Sequence, residues 1–273
     1  MRPILFHVGP LPVPSYGVMV ALGMLLATLL AWRMARARGL PVDLVLDGVF
    51  WSVLAGFAGA RVAYLALNWD ETLRDPLGSI LSGGGGVFLA GLAAGLAALT
   101  WQAHRHGVRT AMALDLFSAP VALGHAFGRI GCFLSGCCYG APAAHGGVCY
   151  PLLTDTSGNA IGSWPYLDHL ARGLVPPDAT ASLPVHAVQL FEAAGLAVLA
   201  AALLLWWTRG PRAGSVAAAY ALAYPAMRFS LEFLRGDADR GVWAGLATSQ
   251  WIALLMAGAA VAWLAATRRR RSA

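Results

Sequence analysis

Between residues 128 and 140 the chain reads Gly-Arg-Ile-Gly-Cys-Phe-Leu-Ser-Gly-Cys-Cys-Tyr-Gly, an arginine and three thiols in an otherwise largely apolar stretch. A charged side chain at membrane depth costs about 2.5 kcal/mol or more on insertion scales, so one that persists faces a polar cavity or a partner. Arg129 is such a residue. Its planar fork of donors carries a permanent charge, which suits a phosphate or a carboxylate. His125 precedes it by one helical turn on the same face, and an imidazole titrating near neutrality is a candidate acid or base. The competing role for His125 is a hydrogen bond to a backbone carbonyl or to Asp115. Glycines at 124, 128, 131, 136 and 140 remove side-chain bulk, so main chain can approach a ligand or another helix closely.

A second group recurs every fourth residue. Tyr224, Arg228 and Glu232 project from one helical face, either as an ion pair bracing a bundle or as a polar wall beside Arg129, where Arg228 or Arg129 holds an anionic head group. Arg61, Asp115 and Glu192 add further ionisable groups inside apolar runs, more than packing alone requires, and this number favours the wall. His186, Gln189 and Glu192 can share a face if the next helix begins at His186, which then serves as an interfacial residue or a base. Tyr16 opens the first apolar run as an interface anchor or a ligand contact. Cys132, Cys137, Cys138 and Cys149 fall in an eighteen-residue window, a pattern open to a disulfide, reactive thiols or small apolar packing. No metal is expected, because Cys137 and Cys138 are adjacent whereas structural zinc sites space their pairs.

The elements that position these residues follow from composition. Of 273 residues, 58% are hydrophobic and 12% charged, against roughly 25% charged in an ordinary soluble domain. The chain is an integral membrane protein, expected to be all-α with about seven transmembrane helices. Apolar runs lie at about 16–32, 47–68, 84–101, 112–134, 186–207, 216–234 and 246–266. The basic side chains are all arginine and cluster beside these runs, so they act as topology signals rather than a nucleic-acid surface. Arg33, Arg36 and Arg38, then Arg105 and Arg109, then Arg209 and Arg212, and finally Arg268 to Arg271 mark the cytoplasmic side, which puts the N-terminus outside and the C-terminus inside. Residues 141–185 are the one long non-membrane segment and are expected to form a small extracytoplasmic cap within a single domain, 1–273.

Gly128-Arg129-Ile130-Gly131 with Phe133, Tyr139 and Gly140 resembles the signature G-R-x-G-N-F-x-N-x-E-x-[FY]-G of the prolipoprotein diacylglyceryl transferase family. Tyr16-Gly17 is similar to its first-span tyrosine, Gly59-Ala60-Arg61 to its second-span arginine motif, and His186 with Gln189-Leu190-Phe191-Glu192 to its H-P-x-Q-L-Y-E segment. Tyr224, Arg228 and Glu232 resemble its Y-x-x-x-R-x-x-x-E helix. The resemblance implies an enzyme of the bacterial inner membrane that moves the diacylglyceryl group of phosphatidylglycerol to the cysteine thiol of an exported prolipoprotein signal segment, releasing glycerol phosphate without a cofactor. It also implies catalytic roles for Arg129, Arg228 and Glu232, beside which His125 stands as the candidate acid or base read from its spacing, and phosphatidylglycerol contacts at Arg129, Arg228, Tyr16, Arg61, Tyr224, Gln189, Glu192 and Gly140. Cys132, Ser135 and Cys137 stand where the signature has Asn, Asn and Glu. Leu89-Ala90-Gly91 aligns with the family's H-G-G segment, so His125, a cysteine or the arginines alone must favour the thiolate. These departures leave an alternative open, a lipid-binding or thiol-redox membrane protein on the same scaffold.

Overall fold

The computed structural model describes residues 1–81, 85–153, 163–237 and 241–272. The glycine tract at 83–86 therefore lies partly outside the described residues, as do 154–162 of the expected cap. The chain opens with an antiparallel hairpin, β1 (Ile4–Val8) and β2 (Leu11–Pro14), turned at Gly9 with φ +59°. Four of the first fourteen residues are proline. Pro12 and Pro14 are tolerated because a two-stranded ribbon has only edge strands, where a proline need not donate.

Helices follow in the order α1 (Ser15–Ala37), α2 (Asp43–Leu67), α3 (Trp69–Arg74), α4 (Pro76–Leu81), α5 (Phe88–Arg105), α6 (Thr110–Ser135), α7 (Trp164–Ala171), α8 (Val188–Thr208) and α9 (Ser215–Glu232). A second short hairpin, β3 (Val242–Trp243) and β4 (Leu246–Ala247), leads into α10 (Thr248–Ser272). All seven expected apolar runs fall on helices of 18 residues or more. Five of these, α1, α2, α6, α8 and α10, are long and apolar enough by length and composition to cross a membrane. The other two are more polar for visible reasons: α5 ends in Gln102-Ala103-His104-Arg105, and α9 carries Arg228 and Glu232. Large apolar side chains such as Phe57 and Val198 stand 75% and 70% exposed on helix surfaces. That pattern suits a hydrocarbon solvent, where helices satisfy their own backbone groups.

Two compact units are present, residues 28–117 and residues 1–27 with 118–273, and the chain passes between them within α1 and α6. In the first, α2 packs on α5 through small residues. A Cβ added at Gly59 would stand 2.6 Å from the Ala94 Cβ, and one at Gly91 2.8 Å from the Gly56 carbonyl oxygen. This contact lets backbones approach closely, which drives association where lipid tails compete for apolar side chains. In the second unit α8 packs on α9 and α9 on α10. Ala122 and Ala126 of α6 join Leu196 and Ala200 of α8 in a core flanked by Tyr220, Tyr224 and Met227 of α9.

The segment after α6 is held by backbone bridges Pro142↔Val185, Val148↔Val185 and Pro151↔Ala181 and carries α7. Tyr139, Tyr150 and Val185 form its small core, with Met1, Phe133 and Val148 packed against them. Enlarging Gly59 to leucine is expected to force α2 from α5 and cost about 1–3 kcal/mol, read as a lower Tm in detergent. Gly128→Ala, whose Cβ meets nothing within 4 Å, should leave Tm unchanged or slightly raised.

Candidate functional site

Arg129 is placed by the last two turns of α6, and its partner comes from the first turns of α8. One Nη of Arg129 lies 3.1 Å from Glu192 Oε1, and Glu192 is almost wholly buried while the arginine side chain remains 14% exposed. The Arg129 Nε–H donates to His125 Nε2 at 3.3 Å. In this geometry His125 Nε2 is the acceptor. The same Nε2 is 3.8 Å from Glu192 Oε1, and the Tyr224 hydroxyl donates to that oxygen at 3.4 Å. One carboxylate of α8 thus gathers an arginine and a histidine from α6 and a tyrosine from α9. The alternative partners for His125, a backbone carbonyl or Asp115, give way to Arg129 and Glu192.

The α9 face carries the second cation. Arg228 Nη1 is 2.7 Å from Glu232 Oε2, and both side chains are nearly buried. His125 and Tyr224 lie within electrostatic reach of both guanidiniums. The Tyr224 ring stacks on Tyr220 at 5.8 Å and meets the His125 ring edge-on at 5.1 Å. The polar row therefore begins a turn earlier than the sequence reading placed it, at Tyr220, and the same four-residue spacing would have found it.

Beyond α6 the chain turns sharply. The Cys137 N–H donates to the Cys132 carbonyl at 3.1 Å and the Gly136 N–H to Phe133 at 3.3 Å, with Gly136 at φ +77°. This is a Schellman cap, which needs a left-handed residue one position past the helix. Buried Gln189 then fixes the turn, its Nε2 donating to the Cys137 carbonyl at 2.8 Å and to the Tyr150 hydroxyl at 3.2 Å. Burial pushes the Tyr150 phenol up to about 12, so it stays neutral and can donate in turn. Gly140 N–H donates to the His186 carbonyl at 3.1 Å. A Cβ at Gly140 would meet that oxygen at 2.4 Å, so only glycine fits.

The family model for prolipoprotein diacylglyceryl transferase matches residues 3–266. The chain belongs to the prolipoprotein diacylglyceryl transferase family. It is 30% identical over 260 residues to a phosphatidylglycerol–prolipoprotein diacylglyceryl transferase of Clostridium tetani (strain Massachusetts / E88), covering 93% of each chain. It is 29% identical over 260 residues to a transferase 2 of the same description from Clostridium perfringens (strain 13 / Type A), covering 94% of this chain and 91% of that one. A relative of that description from Acinetobacter baumannii (strain ACICU) is 30% identical over 248 residues, covering 88% of this chain and 82% of its own. The resemblance carried by the sequence motifs is thereby confirmed.

Within this transferase-family chain, Arg129, His125, Glu192, Tyr224, Arg228, Glu232, Gln189, Tyr16 and Gly140 all lie in one unit. Tyr16 passes beside the α6 backbone, where a Cβ at Gly131 would lie 3.2 Å from its ring. Arg61 belongs to the other unit, with Nη1 donating to the Gly85 carbonyl at 3.3 Å, Nη2 to Ser79, and its guanidinium over the Tyr64 ring at 5.4 Å. His186 precedes α8, which starts at Val188, so it shares no helical face with Gln189 and Glu192. Its backbone is taken instead by Gly140 and Ala141. The four cysteines are free thiols, Cys149 the most exposed. Arg235, which the sequence motifs did not single out, bonds Asp237 through Nε at 3.0 Å and bridges Gly140 through its backbone. Removing Glu192 leaves the Arg129 charge short of its carboxylate, so Glu192→Ala should cost about 3–5 kcal/mol. Glu192→Gln should cost less, and Arg129→Met added to Glu192→Ala should recover part of the loss. Equal Tm values for the three variants would contradict this pairing.

Proposed function

We propose that the protein transfers the diacylglyceryl group of phosphatidylglycerol to the cysteine thiol of an exported prolipoprotein signal segment, in a bacterial cytoplasmic membrane. The observation that carries this reading is the Arg129 guanidinium, held by Glu192 and His125 and still partly exposed, with a second arginine close by. A phosphodiester is an anionic ligand for such a pair. The acceptor sulfur attacks the glyceryl carbon, a carbon–sulfur bond forms as the carbon–oxygen bond to phosphate breaks, and glycerol phosphate leaves with the bonding electrons. Charge grows on the leaving phosphate during this step, and Arg129 and Arg228 are placed to stabilise it. Glu232 orients Arg228.

A thiol has an unperturbed pKa near 8.5, so the acceptor must lose a proton to become nucleophilic. His125 Nε2 is occupied by Arg129 in the resting site. A phosphate that draws the guanidinium toward itself frees that nitrogen to take the thiol proton, so lipid binding and base activation are coupled. Leu89 stands where the family has its third-span histidine, and in this reading His125, bonded to Arg129, takes the thiol proton. Gln189, deep in the protein and bonded to Cys137 and Tyr150, shapes the turn after α6 rather than reaching lipid. The arginine clusters set the N-terminus and residues 141–185 outside, where the acceptor segment emerges.

In cells depleted of their own transferase, the wild-type chain should restore lipidation of a reporter lipoprotein. Arg129→Ala should abolish it, and Arg129→Lys should leave a rate lower by about 10²-fold or more, since a point charge cannot replace the fork. Lipidation undiminished by Arg129→Ala would reject the phosphate site. Failure of the wild type would instead favour a lipid-binding or thiol-redox protein on this scaffold.

A further inference from the structure

Three thiols take no part in the transfer chemistry, although they lie beside it. The Sγ atoms of Cys132, Cys137 and Cys138 all lie within 4.8 Å of one another. Sequence spacing argued against such a cluster because two of the cysteines are adjacent. The fold overcomes this through the cap on α6, which returns Cys137 over the turn that carries Cys132. Cys138 then adopts φ +58°, a left-handed conformation uncommon for a residue with a side chain. Such a conformation persists where its surroundings over-determine it. Here Gln189 holds the preceding carbonyl, and the Gly236 N–H donates to the following carbonyl of Tyr139 at 3.2 Å. The turn is pinned on both sides with its three sulfurs converging.

We propose that Cys132, Cys137 and Cys138 form a three-thiolate site for one thiophilic divalent cation of the zinc class. A tetrahedral ion with bonds of about 2.3 Å holds its sulfurs about 3.8 Å apart. The thiols need only small rotations to reach that spacing. An all-sulfur set of three selects borderline and soft metals over magnesium or calcium, and it leaves the fourth corner of the tetrahedron to water or an outside donor. Binding converts three thiols to thiolates and releases their protons, giving a complex of net charge −1. Arg129 and Arg235 are both within electrostatic reach of Cys138 and favour that charge.

The test uses the full chain, reduced and reconstituted in lipid nanodiscs, titrated with cobalt(II) as the spectroscopic probe. One equivalent should bind, giving a thiolate-to-cobalt charge-transfer absorption in the near ultraviolet with the visible bands of a tetrahedral ion, and zinc should displace it. Cys132→Ser and Cys138→Ser should each weaken binding at least tenfold, whereas Cys149→Ser should leave it unchanged. Variants are compared at matched Tm so that a folding defect is not read as lost binding. No charge-transfer band in the reduced wild type would overturn the site, as would a band that survives in the triple serine variant. Cysteines recovered as an internal disulfide that bind no cobalt after reduction would overturn it as well. This readout is independent of lipid transfer, so it stands or falls separately from the proposed activity.

Discussion

A guanidinium and a carboxylate buried together between α6 and α8 set the terms for the rest of the second unit. Arg129 and Glu192 sit 3.1 Å apart, and neither would be tolerated alone where desolvation costs several kcal/mol per ion. Their pairing fixes where α6 meets α8, and the helices meet through alanines at 122, 126 and 200 with Leu196. Small side chains there allow the close approach the ion pair demands. The arginine is the less buried of the two. A charge that is half satisfied by protein and still open on one side is prepared for an outside anion at little cost in rearrangement.

Helix α9 shows the same compromise in its composition. Its row of Tyr220, Tyr224, Arg228 and Glu232 makes it more polar than the five spans that are membrane-compatible by composition alone. Arg228 is neutralised within its own helix by Glu232, so α9 contributes a second cation without needing a carboxylate from elsewhere. The other unit has a different basis. There α2 and α5 are joined by glycines and alanines, and Arg61 is spent on backbone carbonyls of the segment around α4 and on Gly85. Close backbone packing occurs in both units, for a Cβ at Gly23 would lie 2.9 Å from the Gly124 carbonyl oxygen in the second.

Much of this was legible from spacing. A helix places residues four apart on one face, so His125 with Arg129 and Arg228 with Glu232 followed from the order of residues alone. The pairing of Arg129 with Glu192 did not, because it joins separate helices and depends on how they dock. His186 was assigned to a helical face, but the backbone of Gly140 claims its carbonyl and α8 begins two residues later. The convergence of the thiols was hidden for a related reason. It depends on the left-handed turn at Gly136, and the glycine just past an apolar run was the available clue. The N-terminal hairpin carries no such spacing signal, for Pro12 and Pro14 lie in β2, a placement that edge strands tolerate.

The central claim is that Arg129 meets the phosphate of an anionic phospholipid, and native mass spectrometry of the protein released from mixed phosphatidylglycerol and phosphatidylcholine nanodiscs tests it directly. Arg129→Gln combined with Glu192→Gln removes both charges together, so neither is left stranded. The wild type should retain phosphatidylglycerol in preference to phosphatidylcholine, and the double variant should lose that preference while keeping its Tm. Identical lipid selectivity in the two proteins would contradict the account.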